Sequence, residues 1–226
     1  MPLAIVATPI GNLEDISLRA LNTLKAADTV LCEDTRVTQK LLSHYEIKKP
    51  LLSYHQHSNL TKINQIIELL RQGKQLALVS DAGTPGISDP GGELVHQILA
   101  ELPETQIEAI PGACAAIAAL SISGMPTDKF LFLGFPPHKK GRQTFLKKIA
   151  SSEYPVVVYE SKHRIIKFLE ELEATMKPEE IMVGRELTKM YECAYRGDLK
   201  NIITAIKSDA NAQKGEFVVI IKPKKK

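Results

Sequence analysis

Thirteen residues that follow a short apolar run constrain this chain more than any other stretch. Leu76–Val79 leads directly into Ser80-Asp-Ala-Gly-Thr-Pro-Gly-Ile-Ser-Asp-Pro-Gly-Gly92, which holds four glycines and two prolines. Glycine opens backbone conformations with positive φ and lets another group approach the main chain closely. Proline fixes the turns in between. A segment this costly in conformational freedom, placed at the end of a buried strand, predicts a ligand-binding loop, the alternative being a plain turn. Ligands in α/β sheets collect at the carboxyl ends of the strands. The loops directly after strands are therefore where chemistry is expected.

The rest of the chain repeats the alternation of strand and helix. Short apolar runs at Leu3–Ala7, Thr29–Cys32, Leu76–Val79 and Ile107–Ile110 read as buried strands. Between them, Leu18, Leu21 and Leu24 recur at helical spacing behind a cap at Asp15 or Ser17, and Leu60, Ile63, Ile66, Ile67 and Leu70 recur ahead of Gly73. Gly92–Ala100 and the small-residue stretch Ala113–Ser123 also read as helices. After a break at Gly124-Met-Pro-Thr, strands are predicted at Phe130–Phe135, Val156–Tyr159, Ile181–Arg185 and Phe217–Ile221. Helices are predicted at Thr144–Ala150, Ile165–Leu172 and Leu199–Ile206. The pattern predicts an α/β fold in two α/β domains, 1–123 and 124–226, with largely parallel sheets of about five strands each.

Composition narrows the class. The 226 residues are 44% apolar, enough for sizeable cores. Mean hydropathy is −0.08. No apolar run approaches the ~18–20 residues of a membrane span, and the first residues lack a signal-peptide pattern. Cys32, Cys114 and Cys193 are far apart, which disfavours a disulfide framework or a structural zinc site and fits a reducing cytoplasm. No H-E-x-x-H occurs, and His55 with His57 reads as a surface pair, so a metal hydrolase is poorly supported. Residues 1–113 carry 9 basic and 13 acidic side chains (net −4), whereas 114–226 carry 20 and 13 (net +7), four of the lysines lying in Lys222-Pro-Lys-Lys-Lys226. The asymmetry predicts that a polyanionic partner meets the C-terminal half, unless the tail serves only solubility.

The remaining strand-end loops are less singular. Thr8-Pro-Ile-Gly-Asn12 is neither a G-x-G-x-x-G fingerprint nor a Walker loop. Glu33-Asp-Thr-Arg36 places three charges at a strand end, either as a local ion pair with Thr35 capping a helix or in a polar cleft with Arg36 toward an anion. Pro111-Gly-Ala-Cys114 enters a helix whose first N–H groups could face a ligand, and Cys114 reads as a packed small hydrophobe. Phe135-Pro-Pro-His-Lys-Lys-Gly-Arg142, with Lys147 and Lys148, gathers five positive charges in ten residues. Tyr159-Glu-Ser-Lys-His-Arg164 mixes an acid, a hydroxyl, an imidazole and a guanidinium after a strand, or is a loop in which Ser161 caps the next helix.

Taken together, TPIGN, EDTR, SDAGTPGISDPG, PGACA, YESKHR, ELTKMYE (Glu186–Glu192) and GEFVV (Gly215–Val219) resemble the tetrapyrrole-methylase superfamily. Within it they are similar to the small-subunit ribosomal RNA methyltransferase I group. The resemblance runs from Ala4 to Val219 and departs from the group's usual pattern at Pro136, His138, Lys162 and Cys193. It implies two α/β domains with cofactor in the cleft between them, a homodimer, and S-adenosylmethionine-dependent 2′-O-methylation of a cytidine in 16S ribosomal RNA of the small ribosomal subunit. Carried over residue by residue, it implies cofactor binding at Ile10, Asp81, Gly83, Thr84, Ala113 and Cys114, with Phe132, Leu133, Tyr159 and Gly215 beside them. These positions are mostly neutral, small or acidic, which suits a sulfonium.

In-line methyl transfer to a ribose hydroxyl gains from a base. The candidates are Glu33, Asp34, Glu160 and His163, with Glu33 and Glu160 favoured because each follows a strand end directly. RNA contact is expected at Arg36, Lys140, Arg142, Lys162, Arg164 and Lys189. Other readings are a tetrapyrrole-precursor methyltransferase of the same superfamily, a diphthine-synthase-like protein methyltransferase, and a non-catalytic RNA-binding or ribosome-assembly module.

Overall fold

The computed structural model describes residues 2–55 and 60–224. His57 and the last two lysines of the tail lie outside them. The chain divides into two compact units between Cys114 and Ala115.

The first unit is a doubly wound sheet. Its strands are β1 (Leu3–Val6), β2 (Thr29–Cys32), β3 (Leu51–Ser53), β4 (Leu76–Leu78) and β5 (Ile107–Ile110). They lie in the order β3-β2-β4-β1-β5, and every pair is parallel. The helices between them are α1 (Leu18–Ala26), α2 (Thr35–His44), α3 (Leu60–Arg71) and α4 (Gly91–Glu101).

The two-residue period of the strands splits the core. Ala4, Val6, Ala77 and Val79 face α1 and α2 through Ala20, Leu24 and Leu42. Leu3, Leu76 and Leu78 face α3 and α4 through Ile63, Ile66, Leu70, Leu94 and Ile98. The helix after β1 thus lies on one face and the helix after β4 on the other, although the strands are neighbours. Loops leaving adjacent strands toward opposite faces make a crevice at the switch point of such a sheet. Ser17 caps α1, its Oγ accepting from the Ala20 N–H at 3.0 Å. Asp34, and not Thr35, caps α2, accepting from the Arg36 N–H at 2.8 Å.

The second unit departs from the expectation of a largely parallel sheet. It contains α5 (Ala115–Ser123), β6 (Leu131–Gly134), α6 (Arg142–Ala150), β7 (Val156–Ser161), α7 (Ile165–Thr175), β8 (Glu180–Arg185), β9 (Cys193–Arg196), α8 (Leu199–Ser208) and β10 (Glu216–Lys222). The strand order is β6-β7-β10-β8-β9. Only β6 and β7 are parallel; the β7–β10, β10–β8 and β8–β9 pairs are antiparallel. The closing strand inserts at the centre of its sheet, and β9 follows β8 through a tight connection with no crossover helix.

Phe168, Leu169, Leu172, Leu146, Ile202 and Ile206 of α6–α8 cover one face of this sheet, against Val158, Val183 and Val219. Helix α5 packs on β10 and β7. That packing places α5 in the second unit, so the observed division falls earlier than the expected boundary at 123/124. Ala116 and Ala119 are buried and short, which lets α5 sit close to the strands.

Candidate functional site

The thirteen-residue loop after β4 is held against the loop after β1 by main-chain bonds. The Thr8 N–H donates to Gly83 O at 2.9 Å, and the Gly83 N–H returns to Thr8 O at 3.1 Å. Gly83 has φ +82°, and a Cβ there would lie 3.2 Å from Ile10 Cγ2 and 3.5 Å from Ala113 O. Glycine is required by both the conformation and the space. Thr84 Oγ1 donates to Ala113 O at 3.0 Å, joining the loop to the strand end after β5. Ile10, Gly83, Thr84 and Ala113 are therefore brought together within this unit, and Cys114 follows Ala113 half-buried.

Sequence reasoning missed two residues that build this cradle. Thr8 is 2% exposed and directs its hydroxyl to Ser80 O. Asp89 closes the loop on itself, its Oδ1 accepting from the N–H groups of Gly86 at 2.8 Å and Gly91 at 2.7 Å. A cue was present, because an acid two residues before a Gly-Gly pair is a turn-forming acceptor.

The rim is acidic. Asp81 is exposed, and its Oδ1 accepts from the Asp34 N–H at 3.1 Å. Burial raises the proton affinity of the Glu33 carboxyl, and the nearby Asp89 and Asp81 carboxylates raise it further. Arg36 is 85% exposed, and its Nη2 meets Asp34 Oδ2 at 2.6 Å. That bond holds the Asp34 carboxyl down at about 2.

In the second unit, Phe132 lies edge-on to Tyr159 with ring centroids 5.0 Å apart, and Leu133 follows it on β6, half-buried. The Tyr159 hydroxyl accepts from the Ala116 N–H at the start of α5 at 3.0 Å. Gly215 lies under Glu186, whose side chain would be 2.4 Å from a Cβ there.

Four charged residues read from the sequence as site groups have other roles. Glu160, a candidate base, has a side chain that is 0% exposed and an Oε1 that meets Arg164 Nε at 2.9 Å. Its carboxylate is an interior counter-ion. Arg142, expected to touch RNA, is 8% exposed and pairs with Glu171 at 2.5 Å. Arg164 is 19% exposed and divides its donors among Glu160, Ser161 Oγ and Pro136 O. Ser161 therefore bonds the arginine, and α7 has no side-chain cap.

Lys189 is held between Glu186 Oε1 at 2.9 Å and Glu216 Oε2 at 2.8 Å. Burial alone would lower its proton affinity, but the two carboxylates raise it. Burial likewise opposes ionisation of Glu186, but the bonds from Lys189 and the Glu216 N–H hold it lower. Lys140 and Lys162 are exposed.

The profile of the family described as Tetrapyrrole (Corrin/Porphyrin) Methylases matches residues 2–203. The "Ribosomal RNA small subunit methyltransferase I" of Haemophilus influenzae is 46% identical over 226 residues, covering 99% of this chain and 79% of that protein. The chain belongs to the tetrapyrrole methylase family, in its ribosomal RNA small subunit methyltransferase I group. A protein of the same name from a Hydrogenobaculum species is 45% identical, covering 98% of this chain and 95% of its own length. Among solved structures, a diphthine synthase superposes with a TM-score of 0.73 at 16% identity, covering 98% of this chain and 90% of that one. At that identity the likeness shows the fold alone. The bonded loops after β1, β4 and β5 carry no G-x-G-x-x-G fingerprint.

Proposed function

We propose that this protein transfers a methyl group from S-adenosylmethionine to the ribose 2′-hydroxyl of a cytidine in 16S ribosomal RNA, acting on the small ribosomal subunit in the cytoplasm as a homodimer. The observation that carries this reading is the end-to-end similarity to proteins named ribosomal RNA small subunit methyltransferase I.

The first unit's residues fit the cofactor. Gly83 leaves a cradle that a Cβ would fill against Ile10. Exposed carboxylate at Asp81, with Glu33 and Asp89 nearby, gives the electron-rich surroundings a sulfonium prefers, and the Arg36 guanidinium is paired with Asp34. Ile10, Asp81, Gly83, Thr84, Ala113 and Cys114, with Phe132 and Leu133, are the proposed binding residues. When bound, S-adenosylmethionine supplies a methyl group activated on sulfur.

The chain's own task is then to hold the hydroxyl in line, since such positioning supplies roughly 7–11 kcal/mol of a barrier. Glu33 is the proposed acceptor of the hydroxyl proton. A base works best when its proton affinity lies near the working pH, and burial beside Asp89 and Asp81 moves Glu33 in that direction. Glu160 is committed to Arg164 and leaves Glu33 as the better of the two strand-end acids.

The test is methyl transfer from labelled S-adenosylmethionine to unmodified small subunits, free 16S RNA and a tetrapyrrole precursor in parallel. Label recovered as 2′-O-methylcytidine is expected. Label in the tetrapyrrole alone would move the protein to the small-molecule branch, and tight RNA binding without label would make it a binding module.

A further inference from the structure

We propose that Arg164 and Arg142 staple two loops of the second unit into one preformed cationic surface for the phosphate backbone of RNA, carried by Lys139, Lys140 and Lys162. The proposal rests on the RNA reading above and assigns the two arginines as positioning residues.

The loop between β6 and α6 has Pro136-Pro137 directly after its first residue, Phe135. Two consecutive prolines have fixed φ and no N–H, so only their carbonyls can be tied down. Each carbonyl is taken by a different arginine. Arg164 Nη1 donates to Pro136 O at 3.1 Å, and Arg142 Nη1 donates to Pro137 O at 3.0 Å. Bonds from a charged donor are roughly twice as strong as neutral ones.

Each arginine is neutralised behind the loop, Arg164 by Glu160 and Arg142 by Glu171. Their charge is spent inside the protein, and what they contribute outside is shape. Arg164 also reaches Ser161 Oγ at 3.4 Å, at the end of β7 and next to Lys162 in the turn that follows. One guanidinium therefore fastens the Lys162 turn to the Lys139–Lys140 loop. Gly141, with φ +85°, closes the loop, and the Arg142 N–H bonds back to Lys139 O at 3.3 Å.

The lysines of this surface differ from several others of the unit. Lys189, Lys200, Lys207 and Lys222 are each within ion-pair distance of a glutamate. Lys139, Lys140 and Lys162 are exposed and form no ion pair among the described residues. Unspent cations on a stapled backbone suit a polyanion, because the loop is ordered before binding and little is lost in ordering it afterwards. The staple needs arginine: a guanidinium forks to a carboxylate and a carbonyl together, whereas one ammonium is a point donor.

The test is a double-mutant cycle read by steady-state methylation of unmodified small subunits. Lys139→Ala/Lys140→Ala is expected to raise KM, leave kcat unchanged and reduce the salt slope by about one per lysine. Arg164→Lys is expected to raise KM about tenfold in the wild-type background and less than about twofold once Lys139, Lys140 and Lys162 are all replaced by alanine, as coupled residues do. Arg142→Lys provides the same measurement on the other staple if Arg164→Lys folds poorly.

Effects that multiply, or a loss confined to kcat, would overturn the staple and leave the RNA reading standing. Absence of label from RNA with the wild-type protein would instead remove the RNA reading, and the proposal with it.

Discussion

Two loops carry the character of this molecule, and they are built on opposite physical plans. The loop after β4 is ordered by its own backbone: reciprocal bonds between Thr8 and Gly83, a carboxylate at Asp89 closing two glycine N–H groups, and glycine where φ is +82°. Apart from Ile87, its side chains are small or acidic. The loop after β6 contains a Pro-Pro dipeptide that has no N–H to offer, and Arg142 and Arg164 hold its carbonyls from outside. Its exposed side chains include the cations Lys139 and Lys140. The proposed partners, a zwitterionic sulfonium and an RNA backbone, call for these two solutions respectively. A loop's sequence thus reveals which partner it suits partly through how it must be held.

The contrast can be broken at either end. The largest effect is expected at Glu33, on the acidic rim. Glu33→Gln should reduce kcat by about 10²–10⁴-fold while stability at neutral pH is unchanged or raised. The sign follows from linkage: a carboxyl whose folded-state proton affinity is raised favours the native state at low pH, and that contribution is lost as pH rises through the raised value. Wild-type activity should rise with pH over the same range as Glu33 deprotonates. Steady-state rates and thermal melts across pH check both, and a variant that is less stable and fully active would remove Glu33 from catalysis.

Next in size is the staple behind the basic loop. Arg142→Met leaves Glu171 and Pro137 O without their donor and should cost about 3 kcal/mol in urea unfolding, the lower end for a broken buried pair because Glu171 is 24% exposed. The smallest effect is expected at Gly83. Gly83→Ala forces a left-handed alanine and brings a methyl to 3.2 Å from Ile10, for about 1–2 kcal/mol of strain. Calorimetry should show weakened S-adenosylmethionine binding with RNA affinity unchanged; equal loss of both would erase the distinction between the two loops.

The rim of the first unit was legible because its signals are local. Gly83 and Thr84 stand in a run whose composition alone demands a special backbone, and Ser17 caps α1 within three residues. Non-local partners were not legible. Glu171 lies 29 residues from Arg142, and Pro136 lies 28 from Arg164. A basic stretch with its counter-ions elsewhere in the chain looks the same on paper whether its arginines face solvent or the interior. Lys189 was misread for the same reason, since Glu216 reaches it only through the pairing of β10 with β8.

By itself, the sequence determined the family, the alternation of strand and helix, and the loop that must approach a ligand through its backbone, because hydropathy period, glycine and proline act over a few residues. The tertiary structure decided the direction of the strands in the second sheet, since an apolar run specifies burial and not polarity. It also decided which charges remain available. Desolvating an ion is expensive unless a partner arrives with it, so Glu160, Arg142 and Arg164 could enter the interior only once folding had supplied their counter-charges and carbonyls.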